Sequence, residues 1–495
     1  MNKTVLCMQT KISIPTSNQS RLYKLINLLF LIVVIQVQHV QLDAQELVPI
    51  EAVPGQLPCA NLFSSIKYVR RSQVNYFSNY SALYEKINQR ESQAANNLYT
   101  YTAKYKKRLY KWNSELLELF KHYTGWDQPV GITMDPQKNL TYVVMPADPN
   151  IVKSIQVNFY NTPFDLNPQY SFSLQNDANN PILWKAAISA NFEGKWYDFT
   201  YFSQPNSQAQ VEPGRVEDIP PSYTVLDPFA YKVAYQKAQV WFPPIPEDRP
   251  DLNQISEPLL IIELDLSDLN PPDVSSQLWG TWSVFSHSAY LQKLIAPFNA
   301  VEVMPARSAT FCEAITSDPV NAPLKQDVLY IHYWGYMPNS FAVSNMKGGV
   351  ESQLEMIDSL HSMGFRVLKD EVLQHFANRR YNTDKFLILF YYALKNMFRH
   401  PDITGCGNTT NLHRNSLFTK LSIQMLLRDL VVYKFDGHRH DLMGAIPRDT
   451  AELFKNLNHS LNAFISGEPY AIPYELSEWN TDKNPLRDAG LWDHR

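Results

Sequence analysis

The chain has 495 residues, 45% hydrophobic and 19% charged, a balance that excludes a disordered or collagen-like polymer and allows about three domains. Lys and Arg number 44 against 48 Asp and Glu, a net charge of −4, so there is no basic excess to neutralise nucleic-acid phosphates. Aromatic residues reach 13%, which suits sugar-stacking surfaces as well as filled cores. The four cysteines, Cys7, Cys59, Cys312 and Cys406, have neither zinc-site nor CxxC spacing.

Residues 1–42 contain no acidic side chain but carry Lys3, Lys11, Arg21 and Lys24. The run 25–35 is apolar except for Asn27. It fits a signal-peptide core and is shorter than the ~20 residues that span a bilayer. Residues 1–45 therefore read as a signal peptide, cut near Ala44, or as an uncleaved signal-anchor, the one expected route to a membrane. Either way the remainder enters the secretory pathway, to be secreted or kept in its lumen or on its membrane. Sequons at Asn79, Asn139, Asn408 and Asn458 suit glycosylation there.

Residues 60–124 hold neither glycine nor proline, although the chain has 16 of one and 33 of the other. Such a stretch predicts helices within a segment 46–125. Its cluster Lys104, Lys106, Lys107, Arg108 and Lys111 reads as a solvated helix face or an interaction face. After Trp126 the pattern predicts strands at 139–145, 151–160 and 184–202, the last broken by a turn at 191–195. These make 126–242 a β-sandwich with a polar loop at 203–222. Pro243, Pro244, Pro246 and Pro250 then mark an extended linker over 243–258.

From 259 onward, apolar strands alternate with helices: strands at 259–264, 300–304, 365–368, 431–435 and 463–466, helices at 351–363, 417–430 and 447–459. This order predicts a parallel sheet of α/β type, with chemistry just past the carboxyl ends of its strands. Those ends carry Asp370, His375, Arg439, Asp441 and Glu468. Arg439 and Asp441 are two apart, so in an extended strand they share a side. A guanidinium there keeps the carboxylate ionised, as a nucleophile requires. A second, protonatable carboxyl opposite it is what retaining glycoside hydrolysis uses.

The local strings carry a resemblance. DGHRHDLMG (436–444) resembles the DGFRFDLMG of pullulanase-type and limit-dextrinase-type debranching enzymes in glycoside hydrolase family 13. TGCGNTTN (404–411) resembles the TGCGN segment of pullulanases and isoamylases. ISGEPY (465–470) is similar to the GEPW segment, YWGYMP (333–338) to YWGYNP, and RVLKDEVLQH (366–375) to RVxxDVVYNH. WYDFTYF (196–202) and VLDPFA (225–230) resemble, less specifically, the glycogen-binding-type sandwich that precedes such barrels. The resemblance implies a multidomain chain: a helical N-terminal segment, a glucan-binding-like β-sandwich, and a TIM-type (β/α) barrel at 259–495.

It further implies an α-glucan as partner and retaining hydrolysis of α-1,6 bonds in a starch- or glycogen-type polysaccharide. Asp441 would be the nucleophile, Glu468 the general acid/base, and Arg439 the residue that orients Asp441. Asp370 and His375 would shape the pocket for the glucose on the non-reducing side, and Tyr336 would stack on that ring. Tyr336 also reads as a core aromatic, and Asp370 as a cap of strand-end backbone. No cofactor is expected, and although the family is compatible with calcium, no site for it is assignable.

The pattern departs from the family at Gln374, where Asn is usual, at Glu371, where Val is usual, and at His438 and His440, where Phe is usual. Together these predict a relaxed or altered site. Between Glu468 and Arg495 there is room for less than one βα unit of about 30 residues. About five of eight barrel strands are therefore expected, without the family's third catalytic carboxylate. The alternative reading is a catalytically impaired glucan-binding relic, or a truncated or split fragment that needs a completing chain.

Overall fold

A computed structural model describes most of residues 108–244 and 259–467, the larger breaks within that range being 316–327, 377–392 and 399–407. The leader, most of the 46–125 segment, most of the 243–258 linker and Glu468 lie outside the described residues. The sequons at Asn79 and the start of TGCGN lie outside them as well. No helix among the described residues is long and apolar enough to cross a membrane.

Helix α1 (Ser114–Thr124) is the described part of the helical expectation. The Asn113 side chain caps it by accepting from the Leu116 N–H at 2.8 Å, and Gly125 ends it in the left-handed conformation. Leu116 and Phe120 are buried, with Trp112 edge-on to Phe120.

Antiparallel strands follow: β1 (Gly131–Asp135), β2 (Leu140–Pro146), β3 (Val152–Tyr160), β4 (Tyr170–Asn176), β5 (Leu183–Ile188) and β6 (Trp196–Ser203). Then come β7 (Gln208–Glu212), β8 (Arg215–Asp218), β9 (Ser222–Val225), β10 (Lys232–Ala234) and β11 (Lys237–Gln239). Their order is β1-β2-β5-β4-β3-β6-β11-β10, with β9 also on β6 and β7-β8 as a separate hairpin. The expected strands are present, and the long run at 184–202 resolves into β5 and β6. Two features differ from expectation. The stretch 203–222 holds the β7-β8 hairpin instead of an unstructured loop, because Gln-Ala-Gln-Val-Glu alternates even though its side chains are mostly polar. Strand β4 was not among the expected strands although Tyr170, Phe172 and Leu174 alternate along it, and it keeps mainly exposed side chains.

The second half contains β12 (Ile261–Leu264), α2 (Val284–His287), α3 (Ala289–Ile295), β13 (Ala300–Val303), β14 (Arg307–Ala309), β15 (Cys312–Ile315), β16 (Val328–Ile331) and β17 (Pro338–Val343). It continues with α4 (Gly349–Ser362), β18 (Arg366–Glu371), β19 (His375–Phe376), β20 (Asn408–Thr409), α5 (Leu417–Leu427), β21 (Gly437–His440), α6 (Arg448–Ser460) and β22 (Phe464–Gly467). The parallel sheet runs β12-β13-β18-β21-β22. Each new strand adds to the same edge, the winding of a (β/α) barrel wall; a doubly wound sheet would reverse its order.

The fourth parallel strand lies later than expected. Residues 431–435 belong to a π-helical turn, Arg428–Tyr433, that prolongs α5, and the chain reverses at Lys434 with φ 73°. Leu430, Val432 and Tyr433 are buried there, so the apolar run reflects burial and not a strand. The strand itself is Gly437–His440. A Cβ on Gly437 would come within 2.3 Å of the Phe464 carbonyl oxygen, so glycine permits the close approach of β22.

Helix α5 is buried on nearly every side, Phe418, Leu421, Ile423, Met425, Leu426 and Leu427 included, and contacts both halves. Its Gln424 accepts from the Val130 N–H at 2.8 Å and donates to the Val130 carbonyl at 2.7 Å. Arg428, just beyond α5, donates to the carbonyls of Phe229 and Phe341, and those two rings stack at 4.9 Å.

Alternation along β18 and β21 sorts their side chains onto two faces. Lys369 pairs in register with His438, and Glu371 with His440, on the face toward α5 and α6. Three of the four departures therefore meet there. Glu371 is fully buried, 3.2 Å from Arg307 Nε and 2.5 Å from Lys369 Nζ. Lys369 also donates to Asp429 at 2.7 Å. His438 Nδ1 donates to Asn458 Oδ1 at 3.1 Å, and its Nε2 lies 3.8 Å from Asp429.

His440 differs. It is fully buried and stacks on Phe454 at 5.6 Å, with neither ring nitrogen hydrogen-bonded. Burial, with His438, Arg439 and Arg307 adding repulsion, holds its pKa well below the ordinary imidazole value. The unfolded chain thus takes up a proton that the folded one refuses. This contribution to stability is complete above the unfolded imidazole pKa of about 6.5 and is lost as pH falls below it. His440→Phe is expected to raise the unfolding free energy at neutral pH by about 1–3 kcal/mol by removing an unpaired buried ring. It should also flatten the acid decline between wild-type denaturation midpoints at pH 7 and pH 5; an unchanged decline would assign the acid sensitivity to other groups.

Candidate active site

The opposite face of β18 and β21 carries the expected strand-end residues. Asp370 and Arg439 sit side by side in register. Arg439 Nη1 donates to Asp370 Oδ2 at 2.7 Å and to Asp441 Oδ1 at 3.3 Å, and its Nε lies 3.9 Å from Glu302 on β13. Asp370 is fully buried, and Tyr336 donates its hydroxyl to the same Oδ2 at 2.5 Å. Four of the six expected residues, Tyr336, Asp370, Arg439 and Asp441, thus form one bonded group.

Charge balance in this group is tight. Burial pushes the Asp370 carboxyl well above the ordinary carboxylate range; Arg439 pulls it down and Asp441 pushes it further up. Burial works against the Arg439 charge, yet Asp370, Tyr336 and Asp441 outweigh it and hold the guanidinium above its usual value. The Tyr336 phenol is raised by burial and by the Asp370 charge, so it stays a donor.

His375 reaches the group indirectly. Its Nε2 donates to the Tyr336 carbonyl at 2.7 Å, which fixes the loop that carries the phenol. That loop also depends on Gly335, at φ 95°, where a Cβ would come within 2.5 Å of the Pro305 carbonyl oxygen. Lys347 donates to that same carbonyl at 3.0 Å. Burial brings the Lys347 amine down to about 8, against the pull of Asp265 and Asp370. Neither Lys347 nor Glu302 was a sequence candidate; each lies outside the recognised strings, and neither stands within a run of polar residues that marks it.

Gln374 has a more definite role than its departure from Asn suggests. It is 1% exposed; its Nε2 donates to Asp441 Oδ2 at 3.0 Å, and its Oε1 accepts from the Leu373 N–H at 2.9 Å. Asp441 is therefore held at both carboxylate oxygens, by Arg439 and by Gln374, and through its own N–H to the Glu371 carbonyl at 3.0 Å. The next residue, Leu442, adopts φ 43° and ψ 39°, a left-handed conformation uncommon for leucine. The altered-site expectation thus meets a fully connected set of contacts around Asp441. Glu263, Glu302 and Asp370 present oxygens within 4.8 Å of one another, but the Arg439 guanidinium already supplies positive charge to two of them.

Glu468 follows β22 and lies outside the described residues. In register, Gly467 pairs with His440, so the residues just before Glu468 and just before Asp441 are neighbours across parallel strands.

No protein-family profile matches the chain. Among curated proteins it is 27% identical over 239 residues to the glycogen operon protein GlgX homolog of Haemophilus influenzae, covering 42% of this chain and 34% of that one. It is 28% identical over 243 residues to the glycogen debranching enzyme of Cronobacter sakazakii, covering 42% and 35%. The chain thus spans about a third of the length of these relatives. Among solved structures, a pullulanase from Anoxybacillus sp. LM18-11 complexed with maltotriose matches with a TM-score of 0.52 at 18% identity, over 74% of this chain and 51% of that one. The pullulanase of Bacillus acidopullulyticus matches with a TM-score of 0.53 at 17% identity, over 74% and 44%. These structures share the fold. Over part of its length the chain is thus similar to glycogen debranching enzymes, and it shares the fold of pullulanases.

Proposed function

We propose that the chain carries the nucleophile half of a retaining α-glucan debranching site, acting on α-1,6 bonds of a starch- or glycogen-type polysaccharide. The observation that carries this reading is the double hold on Asp441. Arg439 at one oxygen and Gln374 at the other keep the carboxylate charged and fix its direction before substrate arrives. In this reading Asp441 attacks the anomeric carbon while Glu468 protonates the departing glycosidic oxygen. Glu468 then takes a proton from water, which displaces Asp441 and restores the starting configuration. The glucose ring would rest against Tyr336, whose hydroxyl bond to Asp370 sets the ring plane, and His375 would hold that loop in place.

Further parts of the reading concern the rest of the chain. The antiparallel region within 126–242 acts as a glucan-binding-like sandwich, supported by its strings at 196–202 and 225–230 and by its attachment to α5 through Gln424. The basic, apolar leader at 1–45 routes the chain into the secretory lumen, for secretion or for retention by an uncleaved anchor.

Incubation of the full chain with pullulan or limit dextrin is expected to release reducing ends, and Asp441→Asn to lower that release by roughly three orders of magnitude or more. Glucan binding without release in the wild type would favour the non-catalytic relic or a chain that needs a completing partner. Gln374→Ala removes a hydrogen bond to a charged group, with an expected loss of about ten- to a hundredfold in kcat/KM. It should also move the acid limb of the pH profile upward, since the amide stabilises the charged form of Asp441. A Gln374→Ala enzyme with an unshifted acid limb would rule out this role for the amide.

A further inference from the structure

Beyond the leader, sequons stand at Asn79, Asn139, Asn408 and Asn458, and the structure separates two of them sharply. Asn139 lies at the turn between β1 and β2, exposed, in the left-handed conformation at φ 52° and ψ 44°. Asn458 lies on α6, fully buried, with its Oδ1 accepting from His438 Nδ1 at 3.1 Å and its Nδ2 donating to the Phe454 carbonyl at 2.8 Å. A glycan is bulky and hydrophilic, and it bonds through that same amide nitrogen. On Asn139 it would project into solvent from a turn; on Asn458 it would displace a buried hydrogen bond and force sugar into the core.

The order of synthesis reinforces the contrast. The hydroxyl of Thr141, the third sequon position, is buried in the fold and donates to the Ala190 carbonyl at 2.7 Å. That partner lies 49 residues downstream. At synthesis rates of about 5–20 residues per second, the Asn139 sequon stays open for ~2–10 s before its cover exists. The partners of Asn458 lie 20 and 4 residues upstream, so they already exist when Asn458 is made.

We propose that Asn139 is an N-linked glycan acceptor of this protein and that Asn458 is not. The inference rests on the lumenal reading of the leader, and two arms of one experiment keep the two apart. The full chain is produced in eukaryotic cells with its own leader, and in parallel with residues 1–45 replaced by an established secretory signal. Peptide mass spectrometry after peptide-N-glycosidase F treatment in heavy-oxygen water reads each site. With the replacement signal, the expected result is labelled conversion to Asp at Asn139 and an unmodified Asn458. Asn139→Asp, which tolerates the left-handed turn, should lose one glycan's mass from the secreted protein with an unchanged thermal midpoint. An unmodified Asn139 in secreted protein, or a glycan on Asn458 in folded secreted protein, overturns the proposal. Occupied Asn139 with the replacement signal, beside an untranslocated native-leader chain, supports the acceptor assignment and refutes the leader reading.

Discussion

One guanidinium stands among three carboxylates at the carboxyl end of the parallel strands, and the arrangement of the site follows from that imbalance. Arg439 lies within 4 Å of Glu302, Asp370 and Asp441. A single cation cannot neutralise three buried or half-buried acids, so the remaining charge must be spread through donors. Tyr336 supplies one to Asp370 and Gln374 supplies one to Asp441. Each donor has its own support, His375 beneath the Tyr336 backbone and the Leu373 N–H beneath the Gln374 oxygen. The strength of the site lies in this second tier, since a donor free to rotate would stabilise the carboxylate far less.

The two faces of β18 and β21 solve different problems with the same alternation. Toward the site, odd charges are arranged for chemistry. Away from it, Lys369, Glu371, Arg307, Asp429 and His438 form an ion-paired layer between sheet and helices, where an apolar layer is the usual filling. Buried ion pairs seldom add stability over well-packed hydrocarbon, because desolvation consumes most of the attraction. What they do impose is a penalty on mismatched partners: removing Arg307 or Lys369 would take from the buried Glu371 one of its two cations. The substitutions on this face are thus interdependent, and a single-position comparison with the family misreads them as decay.

Much of this was legible in the sequence, and the reasons differ by element. The parallel strands at β12, β13, β18 and β22 were legible because each holds a short apolar run between helical patterns, and in β13 burial of every residue makes that run conspicuous. Tyr336, Asp370, Arg439 and Asp441 were found because their strings keep family order. The fourth strand was displaced because Gly437–His440 contains no aliphatic residue, while the apolar residues before it are buried as a helical turn. β7 and β8 were missed because their sequences, QAQVE and RVED, are mostly polar and lie in a polar stretch. Gln374 was legible as an anomaly but not as a contact: its partner lies 67 residues away, and only the pairing of β18 with β21 brings the two together.

The Gln424 side chain offers one acceptor and one donor to a single residue, Val130, as a neighbouring strand's peptide group would. An apolar contact between two regions tolerates sliding, since one methyl replaces another. A paired amide does not, because a shift of one residue along 126–131 removes both bonds together and takes the partners from four polar groups. In the evolution of this chain, insertions and deletions should therefore be excluded from the few residues between Trp126 and β1, while the exposed 161–169 connection is free to vary in length.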